Sequence, residues 1–419
     1  MKEKENNKVH IIGAGISGLV AAIQLEKFGY SPIIIEKDSS IGGRVQTDIV
    51  DGFQLDRGFQ VLLEAYPKAK EYLNYKALEL QALDAGALLF DQGKGKPFGD
   101  PLRSLRFFLP MLFSSDATLS DKIKTYRLKK KLNNKSIEDI FAQDESTTLA
   151  HLEKQGFSTR IIENFFRPFF SGIYLEPHLD SSNRMFEFVY KMFGEGKAMI
   201  PKKGMGAIPL QLAEQLKKTE IQLNSEVENI SQHKITLKGG NTIETNFIIV
   251  ATNPEKVMTN YVSSLSWKGC DSLYFSVKKR KIEKPIIGLN KRKGSLVNNI
   301  FYPTSIATEN KGEGDLLSVT IVKKHGYSIE ELIALTTKEL AEQFGIHDAH
   351  FLKHYPIAHA LPSMANIQST IEVSATMISE GIAIAGDHQL NASINAAMTS
   401  GELAAQMAHK TMAGIPHLF

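Results

Sequence analysis

The first forty residues carry apolar patterns that are typical of alternating strands and helices. After a polar tail, the apolar run at residues 9–12 predicts a short buried strand. A glycine-rich turn follows, and apolar residues then recur at helical spacing up to Leu25. Gly29 ends this helix, and Pro32 opens a second apolar run at residues 33–35. The pattern predicts strand, turn, helix and strand, the repeating unit of an α/β fold.

The turn itself contains three glycines with different roles. Gly13 permits a tight turn, Gly15 lets the backbone approach a pyrophosphate, and Gly18 lets the helix pack close to the strand. The first helical turn, with Ile16 and Ser17, offers free N–H groups and the positive end of the helix dipole. We therefore expect the phosphates of a dinucleotide to bind here.

An acidic residue follows the second predicted strand. Glu36 lies about 18 residues after Gly18, close to the roughly 20 expected for the acid that binds adenosine ribose hydroxyls. A carboxylate at this position repels a 2′-phosphate. Glu36 and its neighbour Lys37 are thus predicted contacts for the ADP half of FAD or NAD.

The segment after Glu36 favours a flavin over a nicotinamide. Gly42 and Gly43 let the backbone wrap around a ligand, and Arg44 can reach a pyrophosphate or a flavin edge. Together with the glycine turn, this E-x(5)-GGR segment resembles the flavin-containing amine oxidase superfamily, which includes amine oxidases, protoporphyrinogen oxidase and the carotenoid desaturases. The resemblance implies bound FAD.

A second element lies near the C-terminus. Residues 381–385 predict a buried strand, Gly386 and Asp387 follow it, and residues 393–405 predict a helix. The resemblance implies that the Gly-Asp pair holds the ribityl chain and that the helix N-terminus points at the flavin pyrimidine ring, where it would stabilise negative charge. A helix-capping role for Asp387 is the alternative. The predicted contacts at this helix start are Ser393, Ile394 and Asn395.

Short strands are also predicted between these two ends, at residues 222–227, 235–237 and 247–250. The resemblance implies that this segment returns to the nucleotide domain with Val227 near the adenine, although an ordinary buried valine is an equal alternative. We predict an α/β fold with a Rossmann-like FAD-binding domain, a parallel sheet with helices, and a discontinuous α+β substrate domain. The predicted FAD-binding domain covers residues 1–90, 200–260 and 356–419, and the substrate-binding domain covers residues 91–199 and 261–355.

Three further residues are weak candidates for contacts with flavin or substrate. Arg57 and Gln60 lie in a segment that resembles the part of the family passing close to the flavin. A salt-bridged surface arginine and a solvated glutamine are the alternatives. His388 is the titratable residue nearest to the Gly-Asp pair, and a capping or solvated histidine is its alternative. Apart from these, the catalytic residues stay unknown, because a desaturation requires only a well-placed C–H bond and exclusion of water.

Residues 388–393, which follow Asp387, include no aromatic side chain of the kind that the resemblance places there in amine oxidases, and Trp267 is distant in the sequence. Residues 393–401 resemble instead the desaturase and porphyrinogen oxidase branch, which implies oxidation of a hydrophobic substrate by hydride transfer to the flavin. Amine oxidation is the alternative, and a flavin-binding interaction or assembly protein without turnover is the third. An amine oxidase would need an aromatic pair, drawn from Phe59, Tyr174, Tyr302 or Tyr355.

The remaining predictions concern partners. The sequence has one glycine turn of the dinucleotide type, so we expect oxygen or a quinone to accept the electrons. Cys270 is the single cysteine and lies far from the C-terminal motif in the sequence, so FAD is expected to be non-covalent. No spacing of metal ligands is present, and no metal site is predicted. A chain with one cysteine fits a reducing cytoplasmic setting.

Charge adds one hypothesis. Lys plus Arg (49) against Asp plus Glu (46) gives a net charge of +3, which disfavours a nucleic-acid partner. Two basic runs lie within this total: residues 94–135 carry +8 and enclose the apolar residues 105–113, and residues 278–293 carry +7. We expect peripheral binding to the inner face of an anionic membrane, from which a hydrophobic substrate is taken. Solvated helix faces over a buried core are the alternative.

Overall fold

The computed structural model describes residues 8–98, 117–259, 261–262 and 265–415. The strands in these residues are, in chain order, β1 Val9–Ile12, β2 Ile33–Ile35, β3 Thr47–Val50, β4 Phe53–Asp56, β5 Leu62–Leu63, β6 Gln81–Ala82, β7 Ala87–Asp91, β8 Lys94–Phe98, β9 Ala198–Ile200, β10 Glu220–Gln222, β11 Val227–Ser231, β12 Lys234–Leu237, β13 Thr242–Glu244, β14 Phe247–Val250, β15 Ser266–Val277, β16 Ile287–Asn290, β17 Asn299–Phe301, β18 Asp315–Ile321, β19 His350–Ser363, β20 Met377–Ser379 and β21 Ile382–Ile384. The α-helices are α1 Ile16–Lys27, α2 Pro67–Tyr72, α3 Leu119–Asn133, α4 Ile137–Ala142, α5 Thr148–Lys154, α6 Thr159–Ile161, α7 Arg167–Tyr174, α8 Asn183–Glu195, α9 Ala207–Glu214, α10 Ile329–Glu339 and α11 Ile394–Met412.

The chain has a mixed α/β fold in which one sheet is built mainly from parallel strands. Its order is β10-β2-β1-β14-β21-β20, and the first five strands run parallel while β20 is antiparallel to β21. The short central strands β1 and β14 are buried along their whole length, which is typical of a parallel sheet covered on both faces. The predicted N-terminal strand, helix and strand are confirmed as β1, α1 and β2.

Helices α1 and α11 pack closely against each other beside this sheet. A Cβ atom at Gly401 would collide with the carbonyl of Ser17, so glycine is what allows the two helices to cross here. The predicted C-terminal strand and helix are confirmed as β21 and α11, which extends to Met412. The two ends of the sequence therefore form one structural unit.

A second sheet has the order β19-β15-β18-β17-β16-β7-β8. Its neighbouring strands are antiparallel except for the parallel pair β7 and β16. The predicted domain boundaries at 90/91, 199/200 and 355/356 fall inside β7, β9 and β19, so they need correction at these three places. The reason is that hydrogen bonding to distant strands assigns a strand to its sheet, and the local sequence does not reveal those partners. The division into two domains otherwise stays a prediction.

A group of helices, α3 to α8, packs beside the second sheet. A π-helical turn at Ile162–Phe166 joins α6 to α7. Three smaller sheets have the orders β3-β4, β5-β9-β6 and β11-β12-β13. Across the described residues, none of the helices combines the length and the apolar content needed to cross a bilayer. The apolar residues predicted at 105–113, and the cations Arg103 and Arg106 of the first basic run, lie outside the described residues.

Candidate functional site

A cavity of about 1190 Å³ lies between the parallel sheet, the second sheet and the helical group. It exceeds the roughly 300–1,000 Å³ of a typical small-molecule pocket, so it can hold two ligands together. Its lining includes residues just after β1, β2, β14 and β21. The carboxyl ends of parallel strands are where α/β sheets bind ligands.

The glycine turn after β1 forms part of the wall. Gly13, Gly15, Ile16 and Ser17 line the cavity. Gly13 has φ +107° and donates its N–H to the carbonyl of Ile35 at 2.8 Å, which ties the turn to β2. A Cβ atom added at Gly15 would meet no protein atom within 4 Å. The open space beside this residue belongs to the cavity.

Gly18 has a different environment from the other two glycines. A Cβ atom there would collide with the carbonyl of Gly13 and lie 3.3 Å from Cβ of Ala251. Gly18 is absent from the cavity wall and lets α1 lie against β1 and β14. The glycine spacing predicts this role for Gly18, in which the helix packs close to the strand.

Glu36 is held rigidly at the cavity wall. One carboxylate oxygen accepts the N–H of Ala14 at 2.7 Å, and the other accepts the N–H of Asp38 at 2.9 Å. The side chain is buried, and Lys37 lines the cavity next to it. The structure thus brings the predicted acid to the glycine turn.

Arg44 connects the N-terminal and C-terminal motifs. Its Nη2 atom lies 2.5 Å from Oδ1 of Asp387, and its Nη1 atom donates to the carbonyl of Ala360 at 3.1 Å. Burial opposes the charged guanidinium, but the Asp387 carboxylate outweighs it and raises the pKa of Arg44. Gly43 lies so close to Gly15 that a Cβ atom added at Gly43 would be 3.5 Å from the Gly15 Cα. Gly43, Arg44, Gly386 and Asp387 all line the cavity.

The C-terminal helix begins at the same wall. Ser393, not Asp387, caps α11, because its hydroxyl accepts the N–H of Ala396 at 3.0 Å. Ser393 and Ile394 line the cavity. Asn395 does not, and its side-chain oxygen accepts the N–H of Lys68 at 2.9 Å. Because Ser393 caps the helix, the carboxylate of Asp387 is available for its ion pair with Arg44.

His388 lines the cavity beside this helix start. Its Nε2 atom is buried and has no hydrogen-bond partner within the described part of the chain. Burial lowers the pKa of His388, with Asp387 raising it and Arg44 lowering it further. The ring is therefore a neutral imidazole with one polar atom available to a ligand.

Arg57, Gln60 and Val227 have their own protein partners. Arg57 forms two contacts of 2.9 Å with the Asp48 carboxylate, and Gln60 donates to the carbonyl of Arg44 at 3.0 Å. Both also line the cavity. Val227 is buried in an apolar cluster with Ile35 and is not part of the cavity wall.

The far end of the cavity is aromatic. The rings of Phe98 and Phe165 lie 4.5 Å apart, and Phe169 stacks on Phe165 at 5.4 Å and contacts Phe193 at 5.7 Å. All four rings line the cavity. They come from β8, from the turn between α6 and α7, from α7 and from α8, so no local pattern could reveal the cluster.

The four aromatic residues proposed for an amine-binding pair divide into two groups. Phe59, Tyr174 and Tyr355 line the cavity, and Tyr355 donates its hydroxyl to Asp48 at 2.8 Å. Tyr302 is buried in the apolar core of the second sheet and is not among the lining residues, so this candidate was wrong. Tyr302 follows β17 directly, and its ring packs into that core.

Three neighbouring wall residues on β15 are not predicted by any sequence pattern, namely Trp267, Lys268 and Cys270. Trp267 is distant in sequence from both motifs, yet the Arg44 guanidinium lies 5.4 Å from its ring centroid. Lys268 donates to the Ser181 hydroxyl at 2.8 Å. In the sequence, these residues show only a tryptophan and a lysine at the start of a strand. That pattern is too common to indicate a binding site.

Two of these residues have perturbed acidity. Burial lowers the pKa of Lys268, although the carboxylates of Glu176 and Asp180 partly oppose the change. Burial and the neighbouring Asp271 carboxylate raise the pKa of the Cys270 thiol to about 12. Lys268 is thus a titratable group on the cavity wall, and Cys270 is a protonated thiol.

Comparison with known proteins relates this site to a family. The family model described as flavin containing amine oxidoreductase matches residues 16–409. The coproporphyrinogen III oxidase of Bacillus subtilis is 24% identical over 303 residues, 61% of this chain and 62% of that protein. The 4,4'-diapolycopene oxygenase of Methylomonas sp is 42% identical over 62 residues, 15% of this chain and 12% of that protein. Both alignments cover less than two thirds of the relative.

A solved structure is similar over almost the whole chain. Cyclohexylamine oxidase from Brevibacterium oxydans superposes with a TM-score of 0.63 at 16% sequence identity, covering 97% of this chain and 99% of that one. At this level of identity the similarity concerns the fold. Because the family pattern extends over nearly the full sequence, the chain belongs to the flavin-containing amine oxidoreductase family.

Proposed function

We propose that this protein binds FAD non-covalently through a Rossmann-like domain and oxidises a large hydrophobic substrate. The observation that carries the proposal is the cavity, in which a polar glycine-lined end continues into an aromatic end. Bound FAD supplies a ring that accepts a hydride. The protein supplies binding, orientation and exclusion of water.

The residues at the polar end fit FAD. The free space beside Gly15 suits a pyrophosphate, and the fixed Glu36 carboxylate suits ribose hydroxyls. The Nε2 atom of buried His388 has no hydrogen-bond partner among the described residues, and it suits a polar group of a ligand. The start of α11, capped by Ser393, offers a positive dipole end at the same wall.

The state of the single thiol supports non-covalent binding. Cys270 lines the cavity, so distance along the sequence does not exclude a thioether. Its raised pKa of about 12 keeps it protonated near neutral pH, and the thiolate is the nucleophilic form. We expect acid precipitation of the holoenzyme to release all flavin into the supernatant. Flavin that stays with the pellet would contradict non-covalent binding.

The aromatic end favours a hydrophobic substrate. Phe165, Phe169 and Phe193 can contact large apolar area and exclude water from a reacting C–H bond. Lys268 and His388 are titratable residues of the cavity wall, and each can hold a proton during the reaction. Because the sequence has one dinucleotide turn, we propose that oxygen or a quinone accepts the electrons.

An anaerobic screen tests the proposal. Purified holoenzyme is mixed with polyenes, porphyrinogens and simple amines while the absorbance of the oxidised flavin is followed. We expect bleaching by a polyene or a porphyrinogen and none by amines. Bleaching by amines alone would replace the proposal with amine oxidation.

Three further results would also overturn parts of it. Well-folded protein without any flavin absorbance would exclude FAD binding. Bound flavin that no small molecule reduces, with activity only in the presence of a protein partner, would indicate an assembly protein. Rapid reoxidation of the reduced enzyme by NAD⁺ would contradict the proposed acceptors.

A further inference from the structure

Helix α3 carries apolar residues on its solvent side. Leu119, Ile123 and Tyr126 are 70%, 46% and 51% exposed. Residues three and four apart share one face of a helix, so these side chains form a single stripe. Leu128 and Leu132 are buried on the opposite face and attach the helix to the protein. The stripe formed by Leu119, Ile123 and Tyr126 is called the outer stripe below.

Positive charge surrounds the outer stripe. Arg127 and Lys130 are exposed, and the helix contains four further lysines at positions 122, 124, 129 and 131. Its single acid, Asp121, is buried and accepts hydrogen bonds from Thr118 and Ser158. The surface of α3 therefore combines apolar side chains with cations, which suits anionic lipid headgroups over an acyl layer.

The second basic run has a different character. Arg280 pairs with Asp315 at 3.0 Å, and Lys293 pairs with Glu163 at 3.0 Å. Arg292 lies 3.8 Å from Glu342. The fold neutralises these cations with acids from distant elements, so the sequence count of +7 overstates a free basic surface. On α3, Lys131 lies 3.9 Å from Glu187, whereas Arg127 and Lys130 are exposed, so these two are the cations that face solvent beside the outer stripe.

The same helix forms part of the cavity wall. Thr125 and Lys129 line the cavity, as do Phe165 and Phe169 at its aromatic end. Thr125 and Lys129 lie to one side of the outer stripe on the surface of α3. A surface that bound the stripe would therefore lie next to the hydrophobic end of the cavity.

We propose that α3 docks the protein on an anionic lipid bilayer through the outer stripe, with Arg127 and Lys130 contacting lipid phosphates. The aromatic end of the cavity then receives an apolar substrate from the bilayer. The delivery of substrate rests on the proposed function, whereas the docking does not. A second copy of this chain could also cover the stripe, and the test below separates that outcome from binding to a bilayer.

Vesicle flotation tests the docking with the holoenzyme. Vesicles of phosphatidylcholine are compared with vesicles that also contain phosphatidylglycerol. We expect binding to the anionic vesicles at low salt and weakening as salt rises, because screening shortens the range of these charges. Leu119→Ser/Ile123→Ser/Tyr126→Ser should reduce binding by about tenfold or more, since three exposed side chains lose their apolar contact.

Matched variants separate the stripe from general surface effects. Leu210→Ser/Leu335→Ser changes exposed leucines on other helices and should leave binding unchanged. Arg127→Glu/Lys130→Glu should abolish the preference for anionic vesicles, whereas Lys278→Glu/Lys284→Glu, with the same change in charge, should have little effect. Near-ultraviolet circular dichroism confirms that each variant is folded.

Several outcomes overturn the docking. These are equal binding to neutral vesicles, no loss in the stripe variant, or light scattering that shows a dimer dissociated by that variant. Flavin reduction by a detergent-dispersed substrate is measured in parallel and should be unaffected by the stripe variant. If reduction persists while vesicles are not bound, the docking alone fails. If vesicles are bound while no substrate reduces the flavin, the proposed function alone fails.

Discussion

Individual residues of the glycine turn differ in what surrounds them, although all three glycines follow one sequence pattern. Gly15 faces open cavity, whereas a Cβ atom at Gly18 would collide with the backbone of Gly13. Gly15 also has φ −76°, which L-residues adopt without strain. A side chain at Gly15 therefore affects the ligand, and one at Gly18 affects the fold.

Gly15→Val should leave the thermal midpoint of the apoprotein nearly unchanged while weakening FAD binding by at least about tenfold, or 1.4 kcal/mol. The reason is that the new side chain occupies the space of the pyrophosphate. The measurements are flavin absorbance per protein and thermal melts of apoprotein. Gly18→Val is the comparison and should lower the apoprotein midpoint by itself. A Gly15→Val protein with full flavin content would contradict the assignment of this space.

Asp56 has an unusual acidity for a carboxyl group. Its Oδ1 atom accepts hydrogen bonds from the Thr47 hydroxyl at 2.5 Å and the Met205 N–H at 2.8 Å. Burial nevertheless raises the pKa of Asp56 to about 6. The folded state thus binds this proton more tightly than the unfolded state does. Stability contributed by the protonated form is complete below about pH 4 and is lost as the pH rises through 6.

Asp56→Asn should reduce this pH dependence, because the amide oxygen can accept the same two hydrogen bonds without a charge. Between pH 5 and 8, the thermal midpoint of the wild type should fall relative to that of the variant. The fall should be about 2 °C for each kcal/mol of unfolding free energy that the wild type loses. Differential scanning calorimetry over this pH range provides the measurement. A constant difference between the two proteins across the range would contradict the raised pKa.

Among the structural elements, the helical group is held together by a buried carboxylate. Glu187 of α8 is fully buried and lies 2.8 Å from Nζ of Lys135, which precedes α4, and 3.2 Å from Nε2 of His151 on α5. Burial opposes its ionisation, but the adjacent His151 ring and the hydrogen bond and charge of Lys135 lower the pKa of Glu187 to about 2. Stability from this ionised group is present above about pH 4.5 and is lost as the pH falls towards 2.

Glu187→Gln should destabilise the protein at pH 7 by about 2–3 kcal/mol, because it leaves Lys135 without its carboxylate. The deficit should shrink as the pH is lowered from 4.5, where the wild type begins to lose the same interaction. Urea unfolding at several pH values measures both effects. Glu153→Gln, an exposed carboxylate on a neighbouring helix, should change stability by less than about 0.5 kcal/mol. Equal costs for both variants would exclude a special role for Glu187.

At the scale of the whole molecule, the cavity joins parts that are distant in the sequence. Its polar end combines the first motif with the last, and its aromatic end comes from the helical group. The two ends lie on different elements. Substitutions at one end should therefore leave the function of the other intact.

Phe169→Ala should weaken the binding of an apolar substrate by about 10- to 100-fold, the equivalent of the 1.5–3 kcal/mol lost with one buried aromatic side chain. Flavin content should stay at the wild-type level. Stopped-flow reduction at increasing substrate concentration separates a change in affinity from a change in the limiting rate. Leu210→Ala, at an exposed position outside the cavity, is the matched control. A loss of flavin in Phe169→Ala would show that the two ends are not independent.

The sequence by itself determined the local parts of the proposed dinucleotide site. Glycine spacing, apolar runs and the acid after β2 are short-range features, so the positions of Gly13, Gly15 and Glu36 at one wall could be predicted. The start of α11 and Asp387 were predictable for the same reason. In these segments the backbone conformation and the chemistry are encoded within a few residues.

Only the tertiary structure decided the rest. Trp267 and Lys268 reach the wall because β15 pairs with β19, and the aromatic end requires the packing of four separate elements. Counting charges along the sequence gives both basic runs a similar net charge. In the structure, Arg280 and Lys293 pair with acids that are distant in the sequence, and Arg127 and Lys130 are exposed on α3 beside the outer stripe. Strand register, helix packing and ion pairing join residues far apart in the chain, and a local pattern contains no record of those partners.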